Sequence, residues 1–477
     1  MKNPISTYIQ NWQANTATSI ITGPAILLAF FFASCEEPIE VESDLVPGGN
    51  NTEIRYLEIP LEMNHTAFDS RLISTNAVTG ARGQIFVGHQ NDPEIGDFTA
   101  KAYFGAILNS DFVRDSLPAN ATVIETRLKL GLNYYYGNEF AKPQNFIVTQ
   151  LSDTLDINGG LYTIYDEIPS GDKVSLDEEI IIDPTDTIAD YVQLGNSLGR
   201  NLLSLVRDED LNPVEIYNSI RGFKIETEQG NNSLQAISLA SGESFIEVMY
   251  DSPQQDTLKS VIFDISGSSF TNVDYRPGSL VPSDYSSKKS FDLTDPSKAY
   301  FNNMMGISPR IDLGNYLNFL DTVDFLQINK AELSIGINDF TVTENGNSQI
   351  RPADNIVPYI LEEDGNIAKQ GEDFWAFQAN FNSNGAPANP NQASSPVNLS
   401  YDNNKKEIKG DISFFLQEIY NNPDLWDEGY DFMFTGQIIR RNETPFNETP
   451  KINIGNFDNF LVDKEDIKLK IYYTTFK

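Results

Sequence analysis

One short segment collects the side chains best suited to binding a metal ion. Residues 89–97 read HQNDPEIGD, in which Asp92, Glu94 and Asp97 could offer carboxylate oxygens to calcium. Calcium takes about six to eight hard oxygen ligands, but the spacing here differs from that of the EF-hand loop. An Asp-Pro dipeptide followed by Gly96 is also typical of a tight turn before a strand. The residues therefore allow a turn or a calcium site, and calcium is the only cofactor they suggest.

Aromatic clusters are the second group that could bind a ligand. Tyr134 and Tyr135 belong to a run of three tyrosines, and Trp375 and Trp426 lie in the C-terminal part of the chain. Aromatic rings exposed on a β-sheet can stack on sugar rings, so these four residues are candidate glycan contacts. The alternative is that they fill the core, because large aromatic side chains are highly buried on average.

The residue counts argue against most catalysis and against nucleic-acid binding. The 477 residues include only two histidines and one cysteine, which leaves little for a catalytic triad or a zinc site. A hydrolase using two carboxylates would need them to converge in a cleft. Lys and Arg number 33 against 68 Asp and Glu, a formal net charge of −35. That charge opposes binding to nucleic acid or to an anionic lipid surface, and we expect a protein that is not an enzyme.

The N-terminus has the pattern of a processed targeting segment. Residues 20–32 form an apolar run that is followed by Ala-Ser and then Cys35, the only cysteine. A run of about 13 residues is short for a membrane span and typical of a signal peptide. Small residues before a cysteine resemble the lipobox of bacterial lipoproteins, where the chain is cut before the cysteine and its thiol is lipidated. We predict a signal peptide at 1–34 and a lipidated tether at 35–53; a free or buried cysteine is the alternative.

The residues after Cys35 bear on localisation. The chain continues with EEPIE, and acidic residues at this place resemble the surface-export signal of Bacteroidota lipoproteins. The same stretch has the charge and the Pro/Gly content of a solvated linker. We therefore predict a lipid-anchored outer-membrane protein, which is exposed at the cell surface if the acidic residues after Cys35 act as an export signal.

Four short sequence matches recur in the same order and indicate a duplicated unit. The matched segments are 101–104 with 298–301, 125–132 with 330–337, 145–148 with 355–358, and 246–250 with 469–473. The offset rises from 197 to 223 residues, as insertions in loops would cause. Within these segments apolar and polar residues alternate, as Leu128 and Leu130 do with Arg127 and Lys129, which predicts half-buried strands.

The fold class follows from this alternation. Helical patterns are scarce and are confined to residues 191–206 and 411–420, whereas short alternating segments separated by turn residues are typical of antiparallel sheets. We predict a mainly β protein with two tandem jelly-roll-like β-sandwich domains and a few short helices. The first domain is expected at 54–265 and the second at 266–477.

Several motifs together resemble a Bacteroidota lipoprotein family of uncharacterised function, catalogued as domain of unknown function 4270. They are Ser43 to Pro47, Gly88 to Gly96, Ala102-Tyr103, Tyr136-Gly137 and Tyr472 to Thr474. The resemblance covers nearly the whole chain after Cys35. It implies an outer-membrane lipoprotein and no known reaction.

The sequence leads to one main functional hypothesis and one alternative. The first is a non-enzymatic outer-membrane lipoprotein that binds an envelope protein or forms part of an envelope assembly. The alternative is a glycan-binding surface lipoprotein with jelly-roll modules. In both, the only membrane contact is the N-terminal lipid anchor, and no nucleic acid is bound.

Overall fold

The computed structural model describes the parts of the chain in which the strands and helices lie. The described residues are 52–67, 73–74, 83–137, 139–156, 162–183, 190–228, 231–251, 258–337, 356–362, 365–370, 373–377, 396–402, 404–423, 431–436, 438–440, 450–453 and 459–476. Within them, Ile54–Thr475 forms one compact unit. The predicted signal peptide and Cys35 lie outside the described residues.

The chain is mainly β and forms several sheets, consistent with a β-sandwich. The strands in chain order are β1 (Thr52–Pro60), β2 (Glu62–Ala67), β3 (Ile73–Ser74), β4 (Gln84–Asp92), β5 (Gly96–Leu108), β6 (Thr122–Leu130), β7 (Leu132–Gly137), β8 (Gln144–Leu151), β9 (Ser170–Lys173), β10 (Glu179–Ile180), β11 (Asp190–Leu194), β12 (Phe223–Thr227), β13 (Ser233–Ser238), β14 (Phe245–Asp251), β15 (Lys259–Pro277), β16 (Lys298–Asn302), β17 (Ile307–Asp312), β18 (Gln327–Gly336), β19 (Val357–Ile360), β20 (Lys369–Gln370), β21 (Asp373–Phe374), β22 (Ser400–Asp402), β23 (Glu407–Asp411), β24 (Phe432–Thr435), β25 (Ile438–Arg440), β26 (Pro450–Asn453), β27 (Asn459–Asp463) and β28 (Ile467–Phe476).

The described residues also form four α-helices. They are α1 (Asn196–Arg207), α2 (Pro213–Ile220), α3 (Gly314–Leu320) and α4 (Ser413–Asn421). The helices predicted at 191–206 and 411–420 therefore exist, but each begins later than expected. The residues before them belong to β11 and β23, whose backbones pair with β6 and β18.

The alternation predicted for the repeated segments is confirmed in β6 and β28, whereas consecutive residues are buried in β16 and β19. In β6, Leu128 and Leu130 are buried while Arg127 and Lys129 are partly exposed. In β28, every second residue from Ile467 faces the core. Burying one face of a strand in this way fixes its register, because a slip by one residue would turn the apolar side chains toward water.

Helix α1 packs its apolar face on β6 and β14. Leu198, Leu202 and Val206 are buried on this face. Gly199 brings the helix close to the sheet, since a Cβ there would clash with the hydroxyl of Thr126. Helix α2 begins at a capping box in which the Asn212 side chain accepts hydrogen bonds from two backbone N–H groups, which satisfies donors that the first helical turn leaves free.

Strands β4 to β15, here called the N-terminal half, form a bent sheet around one core. The main path is β10-β8-β12-β5-β15-β14-β6-β11, and β4, β13 and β7 branch from β5. The long strands β5 and β15 pass from one layer to the other, and β15 pairs with both β14 and β5. The core between the layers includes Phe104, Leu128 and Phe263.

Strands β16 to β28, here called the C-terminal half, belong mostly to two sheets that share a second core. One sheet has the order β1-β28-β18-β23-β22, and the other has the order β19-β24-β17-β16-β27 with β2 added beside β17. The core between them includes Phe301, Ile311, Leu333 and Leu469. The first two strands of the described chain thus lie in the sheets of the C-terminal half.

A third core cluster joins the halves. It contains Phe86 and Phe98 of the N-terminal half together with Tyr300, Met305 and Tyr359 of the C-terminal half. The expected domain division between residues 265 and 266 falls inside β15, because that strand continues without a break from one layer to the other.

The two Lys-Ala-Tyr-Phe segments differ from the other sequence matches. Residues 101–104 lie in β5, which pairs with β12, β4 and β15. Residues 298–301 lie in β16, whose partners are β27 and the first residue of β17. The two identical tetrapeptides therefore lie in strands that have different neighbours in their sheets.

Candidate functional site

The candidate calcium segment forms a tight turn between β4 and β5. The Asp92 carboxylate accepts hydrogen bonds from the backbone N–H groups of Glu94 (2.8 Å) and Ile95 (2.9 Å). The next residue, Gly96, has a φ of +139°, a conformation that a residue with a Cβ rarely adopts. This geometry is the turn that the Asp-Pro and Gly residues suggested.

The other candidate ligands of this segment have separate roles. Asp97 lies 2.6 Å from Nε2 of His89, across the β4–β5 ladder, and Glu94 is exposed. Among the described residues, no group of three or more His, Cys, Asp or Glu side chains is placed to hold a metal ion. The structure therefore gives Asp92 and Asp97 partners within the protein.

The candidate glycan contacts are only partly described. Tyr135 packs against the N-terminal core, with its ring edge-on to Phe140 at 5.5 Å between centroids. Trp375 packs against the C-terminal core. The side chain of Tyr134 and all of Trp426 lie outside the described residues. The two described rings are thus partly buried rather than presented on one surface.

The segment that directly follows the predicted tether is held by the C-terminal half. We call Ile54–Ala67 the lead segment; it comprises nearly all of β1, then Leu61, then β2. Residues Met63 and Ala67 pair with Ile311 and Ile307 of β17. Lys464 donates a hydrogen bond to the carbonyl of Met63 (2.8 Å). These contacts hold the lead segment on the C-terminal half.

Contacts on the outer face of β1 strengthen this placement. Tyr56 and Tyr472 of β28 lie side by side, with ring centroids 4.7 Å apart, and both are about half exposed. The hydroxyl of Tyr56 donates to Glu58 (2.5 Å), which also accepts from Lys468 of β28 (3.1 Å). Such cross-strand pairs stabilise a sheet by modest amounts each, and here they join the lead segment to β28.

His65 fixes the other end of the lead segment. Its side chain is fully buried, and Nε2 accepts a hydrogen bond from the backbone N–H of Tyr300 (3.0 Å). The backbone of His65 exchanges two hydrogen bonds with Phe291. Burial, with a smaller effect from the charge of Lys464, lowers the pKa of His65 to about 3, so the imidazole is neutral at ordinary pH.

A cluster of charged side chains covers the adjoining sheet. Glu407 accepts hydrogen bonds from Lys470 (2.8 Å), Lys409 (3.2 Å) and Ser334 (3.0 Å). Burial of Glu407 opposes its ionisation, but these three donors outweigh it and lower its pKa below the ordinary value. Because each charge has an opposite partner, this arrangement is structural and leaves no activated group.

One motif that the sequence analysis passed over is Gly-x-Ser-x-Gly, at residues 195–199. Gly195 lies between β11 and α1, residues 196–199 form the start of α1, and Ser197 is exposed. A serine nucleophile needs a neighbouring base, but the two histidines of the chain are engaged elsewhere, His65 with Tyr300 and His89 with Asp97. The packing of Gly199 against β6 accounts for the second glycine.

Sequence reasoning also missed His65 and Glu407. His65 bonds Tyr300, 235 residues away, and Glu407 bonds Ser334 and Lys470, which are 73 and 63 residues away. Neither residue lies in a motif of fixed spacing. For His65 the available signal was its position in β2, where it alternates with Met63 and Ala67 and so falls on the apolar face.

Comparisons with known proteins add no relative: no family model, no curated protein and no solved structure matches this chain. Among the described residues, none of the helices is both long and apolar enough to cross a membrane.

Proposed function

We propose that this protein is a non-enzymatic outer-membrane lipoprotein of the family that its motifs resemble. The observation that carries the proposal is the apolar run at 20–32 followed by Ala-Ser-Cys35. The lead segment begins 19 residues after Cys35 and is fastened at both its ends to the folded unit. A lipid on Cys35 would thus be joined through a short acidic tether to a firmly held strand.

Lipidation is tested by metabolic labelling with an alkyne fatty acid in a Bacteroidota host. The wild-type protein is expected to take up label and to sediment with outer membranes. The Cys35→Ser variant is expected to do neither. A wild-type chain that matures without label would refute the lipid anchor, and protease treatment of intact cells then reports which side of the membrane the folded part faces.

We propose further that the protein acts in the envelope by binding another protein. Asp92, Asp97 and Glu407 are each paired within the protein rather than converging in a cleft, which supports a binding role over a hydrolase that uses two carboxylates. Crosslinking in intact cells, followed by purification in mild detergent, is expected to recover a partner in fixed ratio. Recovery of the monomer alone across crosslinkers, together with binding on a glycan array, would favour the glycan alternative.

We also propose that the two halves are copies of one unit. Three of the four sequence matches support this, because the matched residues pair in the same register. Leu128 faces Ile246 in the N-terminal half, and their counterparts Leu333 and Leu469 face each other in the C-terminal half. Likewise the 145–148 strand pairs with β12 as the 355–358 strand pairs with β24.

The neighbours of these strands agree as well. Strand β11 pairs with β6 and leads into α1, while β23 pairs with β18 and leads into α4. The duplication is tested by aligning each half separately with homologous sequences and then comparing the two profiles. We expect the halves to align with Leu128 on Leu333 and Ile246 on Leu469. A best alignment in another register would contradict the duplication.

A further inference from the structure

The long bent strand β15 takes part in both layers of the bent sheet of the N-terminal half. Its first part pairs with β14, where Val261 faces Val248. Phe263 to Ile265, at the end of this part, also pair with Leu108 to Ala106 of β5. Its second part pairs with β5 alone, where Thr271 faces Ala102. A register shift between Ile265 and Ser269 separates the two parts. One strand thus lies beside β14 in one layer and beside β5 in the other.

The lead segment fills the same two positions in the C-terminal half. Strand β1 lies beside β28, the counterpart of β14. Strand β2 lies beside β17, which has β24 and β16 as its other neighbours, as β5 has β12 and β4. The break between the two parts is at Leu61, which is buried. The lead segment and β15 are therefore equivalent by position.

Their buried side chains follow the same pattern. Val261, Phe263 and Ile265 of β15 enter the core of the N-terminal half. Ile59 and Leu61 of the lead segment enter the core of the C-terminal half, with Leu57 partly buried beside them. In β15 and in the lead segment, apolar side chains at every second residue enter the core up to the point where the strand bends.

From this equivalence and from the chain order, we propose that the two halves have exchanged their leading strands. The lead segment precedes the body of the N-terminal half but completes the C-terminal half. Strand β15 precedes the body of the C-terminal half but completes the N-terminal half. Each half therefore contains an acceptor groove that spans two sheet edges and takes an extended segment with alternating apolar residues. The inference rests on the proposed duplication.

The contacts of the lead segment agree with this assignment. The bonds described above run from Glu58, Met63 and His65 to residues of the C-terminal half. Thr66 donates to the carbonyl of Lys289, and the carbonyl of Pro60 accepts from Asn315. When an extended segment is added to a sheet edge, its main-chain hydrogen bonds provide affinity, and pockets for every second side chain provide selectivity.

The exchange is tested in a chain that starts after Cys35 and carries a protease site between Asp69 and Ser70. Cleavage leaves the lead segment attached only by its contacts, and we expect it to co-elute with the rest of the protein. The nicked protein is then taken to a urea concentration that releases the segment and is returned to buffer with labelled synthetic peptides. Fluorescence anisotropy reports how much peptide is incorporated.

Four peptides distinguish the outcomes. The 54–67 peptide is expected to enter in a 1:1 ratio, and the 258–273 peptide to compete for the same groove. The Ile59→Asp form of the first peptide is expected to bind about 100-fold more weakly or worse, because it buries a carboxylate. Its matched control is Glu62→Gln, at an exposed position, which is expected to bind as the unchanged peptide does.

Two results would overturn the inference. If the 54–67 peptide enters and the 258–273 peptide does not compete, the two strands are not equivalent and no exchange took place. If the lead segment separates from the nicked protein in native buffer, no acceptor groove holds it. The chain used here has no lipid, so neither result bears on the anchor. The profile comparison of the halves shows separately whether the duplication itself fails.

Discussion

Replacing His65 by glutamine tests the burial of the lead segment through pH. The imidazole is fully buried and accepts one hydrogen bond from the backbone of Tyr300. A glutamine amide oxygen can accept the same bond without a group that titrates. The variant therefore removes the proton-binding site while keeping the acceptor.

The sign and size of the effect follow from the two pKa values. The pKa of His65 is about 3 in the folded protein, against 6.5 for an unperturbed histidine. Between these values the unfolded chain binds a proton that the folded chain does not, so stability falls as the pH falls below 6.5. The slope is about 1.4 kcal/mol per pH unit. From pH 7 to pH 5 the wild type should lose about 2 kcal/mol relative to the variant.

The assay is urea unfolding of the wild type and His65→Gln at pH 7, 6 and 5. The free energy of unfolding of the variant is subtracted from that of the wild type at each pH. This difference removes the contribution of the many carboxylates, because both proteins contain them. His89→Gln provides the comparison, because His89 is the only other histidine and is paired with Asp97 on the β4–β5 hairpin. A difference between wild type and His65→Gln that stays constant from pH 7 to pH 5 would show that His65 is reached by water and that β2 is not buried as described.

Three further substitutions test the packing. Gly199→Ala should destabilise the protein by about 1–3 kcal/mol, because the added Cβ clashes with Thr126. Gly195→Ala should change stability far less, because the atom nearest to its added Cβ lies at 3.4 Å. Thermal unfolding of the two variants makes the comparison. Glu407→Ala should lower the free energy of unfolding in urea at pH 7 by about 2 kcal/mol. The loss is smaller than for a fully buried ion pair because the lysines that bond Glu407 are partly exposed. An unchanged urea midpoint would contradict the proposed cluster. Asn212→Ala should cost about 1 kcal/mol by loss of the helix cap, measured by the same method, and no loss would mean that the capping box does not form.

Local patterns predicted the strands well, and long-range pairing explains what they missed. The alternation around Leu128 specifies a strand and its buried face whatever its partner. The same alternation in 330–337 would put Ser334 on a solvated face, but Ser334 is buried and its hydroxyl donates a hydrogen bond to Glu407. The Asp92 turn was foreseen as one of two alternatives because its chemistry is local. The partner of β2 lies about 250 residues away in the sequence, and no local pattern specifies such a choice.

The placement of the lead segment also has a consequence for the order of folding. This segment is synthesised before the rest of the folded unit, yet Met63 bonds Lys464, 401 residues later, and Glu58 bonds Lys468, 410 residues later. Contacts so distant in sequence close slowly, because a long loop must be ordered before they form. The edge of β28 meets β1 only when almost the entire chain has emerged. Until then β1 lacks the strand that lies beside it, and the last residues to arrive are those that pair with it.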